Sequence, residues 1–567
     1  MTEKTKVPLN VVLYWHMHQP EYRDLRNGEY HLPWTYLHTI KDYVDMVAHL
    51  EECEAARAVV NFAPVLLEQI DDYRQQLHDY LHHDKALRDP LLAALAGPVL
   101  PNDADSRLKI MKECLRANEQ RLIARYKPFT KLAVMATSAI NDPALLMYHA
   151  DQFLSDLLVW YHLSWIGETV RRNNPHIKAL IKKAHQFTIH DRRQLIELIY
   201  ELMSGVIGRY KSLYEQDRIE LSMTPYGHPI VPLLIDIKSA EQAIKDVTLP
   251  LATEYPGGYE RSQWHVRKGI EVFKKFFDSA PQGCWPSEGS ISAETITLFS
   301  EEGIKWLASG ETVLRNSLAK SSLDPDNCIH KPYSFRDTKP VCFFRDDGLS
   351  DLIGFKYSDW HADDAVANLT THLESIRKAC AEKPEAIVSI ILDGENAWEY
   401  YPENGYHFLN SLYSKLSTNE NIKLTTFSEY LNSFKPKTIL KEIVSGSWVY
   451  GTFSTWIGEK DKNHAWDMLV SAKKVFDKVI DSGLLSEESK QLAIMQLATC
   501  ESSDWFWWFG EYNSAESVAA FDEQFRLHLS NLYQLLNVEP PDYLASAFSF
   551  GSGMPVMGGA MLPGKHT

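Results

Sequence analysis

From Lys6 the chain runs KVPLNVVLYW, a β-branched and aromatic stretch that predicts a strand, and it passes directly into HMHQPEYRD. Alternate residues of a strand share one face, so Tyr14, His16 and His18 are expected to project together until Gln19 and Pro20 break the strand. ARAVVNFAP predicts a second strand. From about Val65 to Tyr214 the apolar residues instead recur at helical spacing, as in HADQFLSDLLVWYHLSWIG, with almost no strand signal, which predicts a helical insertion. Strand and helix then alternate through IELSMTP, the helix ERSQWHVRKGIEVFKKFF, the turn PQG, the segment GCWPSEGS, KWLAS, VCFFRD, the helix ADDAVANLTTHLESIRKAC and IVSIILD. That β/α rhythm predicts an α/β domain over residues 1–437, interrupted by the insertion at about 65–214. Beyond Lys437 three segments space their apolar residues helically, HAWDMLVSAKKVFDKVIDSG, SEESKQLAIMQLATC and VAAFDEQFRLHLSNLYQLLN, so a C-terminal helical domain is expected over 438–550. The tail 551–567, rich in Gly, Met and Pro, lacks the means to bury a face and is expected to be mobile.

Composition changes this picture in three ways. A chain of 567 residues exceeds what one core supports, roughly 250 to 300 residues, so several packed units are required. The net charge of -17, with no block of Lys or Arg, argues against nucleic acid or an anionic membrane as principal partner and leaves neutral ligands favoured. Seven cysteines, Cys53, Cys114, Cys284, Cys328, Cys342, Cys380 and Cys500, are scattered and lack a CxxC pair, which fits free thiols in a reducing compartment. The apolar run near the N-terminus is too short and too polar-flanked for a signal peptide or membrane span, so a cytoplasmic location is expected.

Two acids stand in distinctive settings. Asp393 ends a near-continuous apolar run, Ile387 to Leu392, of the kind that makes a parallel strand buried on both faces, so its carboxylate is expected at the strand's C-terminal end. In β/α barrels that rim carries the chemistry. Glu288 sits in GCWPSEGS. A carboxylate nucleophile facing a carboxylic acid is what retaining cleavage of a glycosidic bond needs. A lone histidine at a strand end is more often a satisfied core residue, but a His-x-His pair suits either sugar hydroxyls or a metal ion.

On these segments the chain resembles glycoside hydrolase family 57, a retaining family of α-glucan amylases, transferases and pullulanases. The resemblance rests on five ordered motifs: His18-Gln19-Pro20, Tyr226-Gly227-His228-Pro229, GCWPSEGS, ILDGENAWEYY and FSTWIGEKDKNHAWDML. It also covers LPWTYLHTIKDYVDM, FFRDDGLSDLIGF and DWFWWFGEYN. It implies a (β/α)7-type barrel, Glu288 as nucleophile and Asp393 as acid/base, with no cofactor and no metal. It further implies an α-1,4-glucan substrate, α-amylase-like hydrolysis as the leading activity, and 4-α-glucan transfer or amylopullulanase activity as alternatives. On this reading Glu288 stays ionised among hydrogen-bond donors while Asp393 needs a raised pKa. Glu395 is a second acid that could share the proton or bind a hydroxyl. His16, His18 and His228, with Gln19, would bind hydroxyls of the unit being cleaved. Trp34, Trp285, Trp398, Trp456 and Trp466 would give flat apolar platforms for glucose rings, Trp456 and Trp466 foremost. Trp505, Trp507 and Trp508 read as interdomain core first and glucan contact second. The more distant alternative is a zinc-dependent polysaccharide deacetylase or α-mannosidase using the histidines as ligands. The sequence leaves oligomeric state open.

Overall fold

The computed structural model describes residues 7–323, 329–380 and 383–553. Ten strands form one sheet. They are β1 (Leu9–Met17), β2 (Ala58–Phe62), β3 (Ile219–Met223), β4 (Gly283–Cys284) and β5 (Trp306–Ser309), followed by β6 (Tyr333–Phe335), β7 (Val341–Phe344), β8 (Ile387–Asp393), β9 (Ile422–Leu424) and β10 (Thr438–Leu440). Seven of them run parallel in the order β7-β5-β4-β3-β2-β1-β8. The sheet curls until its two ends meet: Arg345, just past β7, forms a parallel bridge with Ser389 of β8, where Asp346 N donates to Ser389 O at 2.8 Å. This is the expected (β/α)7-type barrel. The remaining strands are short additions: β6 pairs antiparallel with β7, β10 pairs with β6, and β9 pairs with the start of β1.

Period-two alternation sorts each strand between two cores. Val12 and Tyr14 of β1, Val59 of β2, Trp306 of β5, Phe343 of β7 and Ile391 of β8 face inward and fill the barrel. Phe427 and Tyr430, from the helix Phe427–Ser433, plug its floor. Val11, Leu13, Trp15 and Met17 face outward into the layer packed by the helices. A strand buried on both faces has no polar side, which is why β1 and β8 read as near-continuous apolar runs, interrupted by Asn10 and by Ser389 before the polar rim. Each large side chain so buried contributes roughly 1.5–3 kcal/mol, opposed by the entropy of ordering it.

Between β2 and β3 the described chain is helical, including Pro64–His83, Asp151–Trp165 and Ile189–Glu215. The last of these starts at a capping box in which Thr188 and Asp191 satisfy each other's backbone N–H groups. Asp151–Trp165 is buried from Phe153 onward, so it forms the centre of this helical layer. After β10 come the helices Lys460–Ser482, Glu487–Cys500, Ser503–Trp508 and Ala515–Leu535. They press against the barrel mouth closely enough to require glycine: a Cβ on Gly227 would lie 2.6 Å from Ala498 O. Of the tail, Gly553 bridges to Ser514, and residues 554–567 lie outside the described residues. The six described cysteines are free thiols. Among the described residues no helix is long and apolar enough to cross a membrane.

Candidate active site

At the C-terminal rim, strand register decides which side chains meet. His16 of β1 stands level with Asn61 of β2 on one side and Asp393 of β8 on the other. Tyr14 lies one step below, where its hydroxyl shares a 2.9 Å hydrogen bond with Ser222 of β3. The polar layer above the apolar plug therefore follows from alternation alone: the inward positions of β1, β2 and β8 become His, Asn and Asp where the barrel opens.

Three imidazoles stack over this layer. The rings of His18 and His228 lie 3.8 Å apart and 14° from parallel, and His16 is 5.6 and 5.4 Å from them. Each is held by one nitrogen: His16 Nδ1 to Asn61 Oδ1 at 2.6 Å, His18 Nε2 to Asp504 Oδ1 at 2.8 Å, and His228 Nδ1 to Ser503 Oγ at 2.8 Å. The other nitrogens, His16 Nε2, His18 Nδ1 and His228 Nε2, are buried and have no hydrogen-bond partner among the described residues. Burial, with the neighbouring His18, lowers the pKa of His16 to about 3 and that of His228 well below its usual value, so both rings are neutral.

The ligand atoms of these histidines lie within 4.8 Å of one another, which raises the question of a metal. The lone pair of an imidazole nitrogen lies in the ring plane, and near-parallel planes aim their lone pairs side by side. Tetrahedral zinc needs them to converge on one point about 2.0–2.1 Å from each nitrogen. The stack suits hydrogen bonding to a row of polar ligand atoms better than it suits an ion.

Glu288 is carried on the turn after β4 in the left-handed region, with φ 56°, and His228 shares that conformation at φ 56°. Such backbone costs a non-glycine residue on the order of 1–3 kcal/mol and persists where neighbours enforce it. Here Trp448 N donates to Glu288 O at 3.0 Å and Ser503 N donates to His228 O at 3.0 Å. The Glu288 side chain accepts one hydrogen bond, from Trp448 Nε1 to Oε2 at 2.8 Å, and its Oε1 stands 4.0 Å from His228 Nδ1. Burial and the nearby Asp393 outweigh that single bond and push its carboxyl up to about 8. A nucleophile surrounded by donors was the expectation; one donor is found. Burial also pushes Asp393 up to about 6, against a 2.7 Å hydrogen bond from Asn396 Nδ2 and the pull of His18 and Arg345. Glu395 accepts from His18 N at 3.3 Å and Gln19 Nε2 at 3.2 Å, and burial with the nearby Asp393 raises it well above the usual range.

These groups share one cleft enclosing about 1180 Å³, lined among others by His16, His18, Gln19, Glu288, Asp393 and Glu395. His228 stands directly behind, stacked on His18. The five tryptophans expected as platforms are not among the residues lining it, and each is packed in the interior. Trp34 tilts against Trp165 at 5.8 Å, Trp285 fills the top of the barrel plug beside Tyr14 at 5.9 Å, and Trp398 meets Trp15 at 5.8 Å. Trp466 stacks on Phe506 at 4.7 Å and donates from Nε1 to Trp456 O at 3.0 Å, while Trp456 itself is fully buried. The aromatic walls come instead from Trp448, Trp507 and Trp508. Trp505 of the same cluster is core, 5.2 Å from His528.

Sequence reasoning missed Asn61, Arg345, Trp448, Ser503 and Asp504. Asn61 carried a signal, as the one polar residue in AVVNF. Arg345 is buried, donates to Ile391 O at 2.9 Å and pairs with Asp347 and Asp351 at 2.8 and 2.6 Å, which fixes it across the seam that closes the barrel.

A parallel barrel whose rim brings Glu288 and Asp393 to one cleft beside three stacked imidazoles has the carboxyl pair that an enzyme of the glycoside hydrolase class needs. The chain belongs to glycosyl hydrolase family 57, whose family model matches residues 12–444. No curated protein matches the chain in sequence. Similar solved structures include a family 57 branching enzyme from Thermococcus kodakaraensis, at 14% identity and TM-score 0.57, covering 93% of this chain and 90% of that one. The branching enzyme from Pyrococcus horikoshii, also at 14% identity and TM-score 0.57, covers 96% of this chain and 99% of that one. The α-amylase AmyC from Thermotoga maritima, at 12% identity and TM-score 0.54, covers 94% and 93%. At these identities the likeness is one of fold.

Proposed function

We propose that the protein cleaves α-1,4-glucans with retention of configuration, by two successive displacements at one anomeric carbon. Glu288 attacks that carbon while Asp393 gives its proton to the departing oxygen; Asp393 then takes a proton from water as water releases the sugar from Glu288. The observation that carries this reading is that Glu288 and Asp393, which stand in two of the family's motifs, line one cleft, both with raised pKa values. The pair holds a single proton at near-neutral pH, which the higher value puts on Glu288 in the free protein; the chemistry needs Glu288 ionised and Asp393 protonated, so the proton must pass to Asp393 as substrate binds. Three ring nitrogens without partners among the described residues support recognition of sugar hydroxyls; with the Nδ1–H of neutral His16 donated to Asn61 Oδ1, its Nε2 is left as an acceptor. Trp448, Trp507 and Trp508 offer apolar faces for C–H surfaces of glucose. Family membership and the α-amylase and branching enzymes among similar structures support an α-glucan substrate. Hydrolysis is the leading activity and 4-α-glucan transfer the second, since both pass through the same glycosyl-enzyme.

The test uses maltoheptaose and an activated α-glucosyl fluoride. Glu288→Ala should lose nearly all turnover of both while still binding glucan, and azide should restore cleavage of the fluoride to give the β-glucosyl azide. Near-normal turnover in the variant would remove Glu288 from the mechanism.

A further inference from the structure

Beside the cleft lies a second chamber of similar size, about 1080 Å³, that nothing above uses. The two adjoin: Asp393, Asn396, Arg345, Phe355 and Trp448 line both. What differs is the chemistry on either side of that shared wall. Glu288, His16 and His18 line only the first chamber. The second is lined instead by Asn118, Gln120 and Arg121 of the helical insertion, with Ser358 and Tyr400.

This division has a direction. A nucleophile touches the sugar that stays on the enzyme, whereas the acid touches the oxygen joining that sugar to the group that leaves. A chamber that meets Asp393 but not Glu288 is therefore on the leaving-group side. The same chamber receives whatever attacks the glycosyl-enzyme, because the second step reverses the geometry of the first. Its walls suit a sugar chain better than a lone water. Phe355 is 51% exposed, and with Trp448 and Tyr400 it gives apolar faces. Asn118, Gln120 and Arg121 give amide and guanidinium donors for hydroxyls. Arg121 is held in place by its Nε, which donates to Tyr400 O at 2.8 Å.

We infer that this second chamber is an acceptor site for a glucan, and that Gln120 and Arg121 set how the glycosyl-enzyme divides between sugar and water. The inference rests on the roles proposed for Glu288 and Asp393. In the transfer step an acceptor hydroxyl oxygen bonds to the anomeric carbon, the bond from that carbon to the Glu288 oxygen breaks, and the hydroxyl proton passes to Asp393. Glu288 leaves as a carboxylate, so no oxidant or further reactant is needed.

The test uses α-maltotriosyl fluoride as donor and maltose as acceptor. Fluoride departs without needing a sugar in the second chamber, so its release measures the first step alone, while saccharides longer than maltotriose measure transfer. The wild-type protein should give longer products in a share that rises with maltose. Gln120→Trp, at a solvent-exposed position where added bulk narrows the chamber, and Arg121→Ala should each raise the maltose concentration needed for half-partition by about tenfold or more. That ratio compares two fates of one intermediate, so a general loss of folded enzyme does not move it. Half-partition within about twofold of wild type in both variants would overturn the inference, as would fluoride release with no longer products at any maltose concentration. Absence of fluoride release from the wild type would instead defeat the roles of Glu288 and Asp393, and the acceptor site with them.

Discussion

Trp448 gives Glu288 its one side-chain hydrogen bond, and its removal should be visible in a pH profile. With Asp393 raised to about 6 and Glu288 to about 8, the pair carries two protons below this window, none above it, and one within it. kcat/KM on a glucan should therefore trace a bell with its maximum between the two values. In Trp448→Phe the Glu288 carboxylate loses a donor worth about 1.5–3 kcal/mol, so its protonated form gains and, since Glu288 holds the higher of the two values, the alkaline limb should move up by about one pH unit or more. An alkaline limb that stays in place would show that Trp448 does not tune the pair. The stacked histidines lead to a second expectation. Their lone pairs run side by side, so exhaustive chelation should leave activity unchanged and the purified protein should contain no stoichiometric zinc. A one-to-one zinc content with activity lost on chelation would favour the metalloenzyme reading.

Between elements, the helix Gly258–Phe277 is tied to the C-terminal helices through Glu501. Its buried carboxylate accepts from Arg261 Nε at 2.9 Å and Nη2 at 2.6 Å, from His265 Nε2 at 2.8 Å and from the Tyr255 hydroxyl at 2.5 Å. Burial alone would raise this group, but the Arg261 guanidinium and these hydrogen bonds hold it far below the usual carboxylate range. A depressed carboxylate contributes stability above its unfolded pKa, about 4.3, and that stability is lost as pH falls. Glu501→Gln leaves Arg261 buried without its counter-charge, at a cost of about 3–5 kcal/mol. The melting temperature should drop markedly at pH 7, and the gap from wild type should narrow toward pH 3. A gap independent of pH would mean that the charge is not what matters.

At this scale the chain also reveals what a sequence can and cannot show. β1, β2, β3, β5, β7 and β8 were legible because burial on one or both faces writes itself into apolar runs. β4 has two residues, and β6, β9 and β10 three each, too few to display any period. Glu288 and Asp393 were legible through their motifs and the strand preceding Asp393. The tryptophans were not, because bulk and apolarity are the same whether a ring meets a sugar or a core. Trp448 lies on an irregular segment between barrel and helices, where no pattern assigns a facing side. Asp504 was hidden for a different reason: its partner is 486 residues away.

For the molecule as a whole, that last contact means the barrel does not finish its own site. Ser503 and Asp504, from the C-terminal helices, hold His228 and His18 at the rim. Asp504→Ala would free the His18 ring to turn, and a displacement of about 1 Å in such a group costs on the order of 10²-fold in rate. We expect kcat/KM to fall by about that factor while the secondary structure measured by circular dichroism stays unchanged. Full activity in that variant would show that the barrel alone positions His18.

The same contact has a meaning in time. His18 is made early and Asp504 comes 486 residues later, so at about 5–20 residues per second the histidine waits roughly half a minute to a minute and a half before its partner exists. β1 likewise needs β8, and its first residues need β9, before its edges are covered. Between the making of β1 and that of β8, a growing chain thus carries the first strand of its barrel with one edge open, and the cleft lacks the partner of His18 until Asp504 is made. That edge can pair with other chains until β8 and β9 have been made.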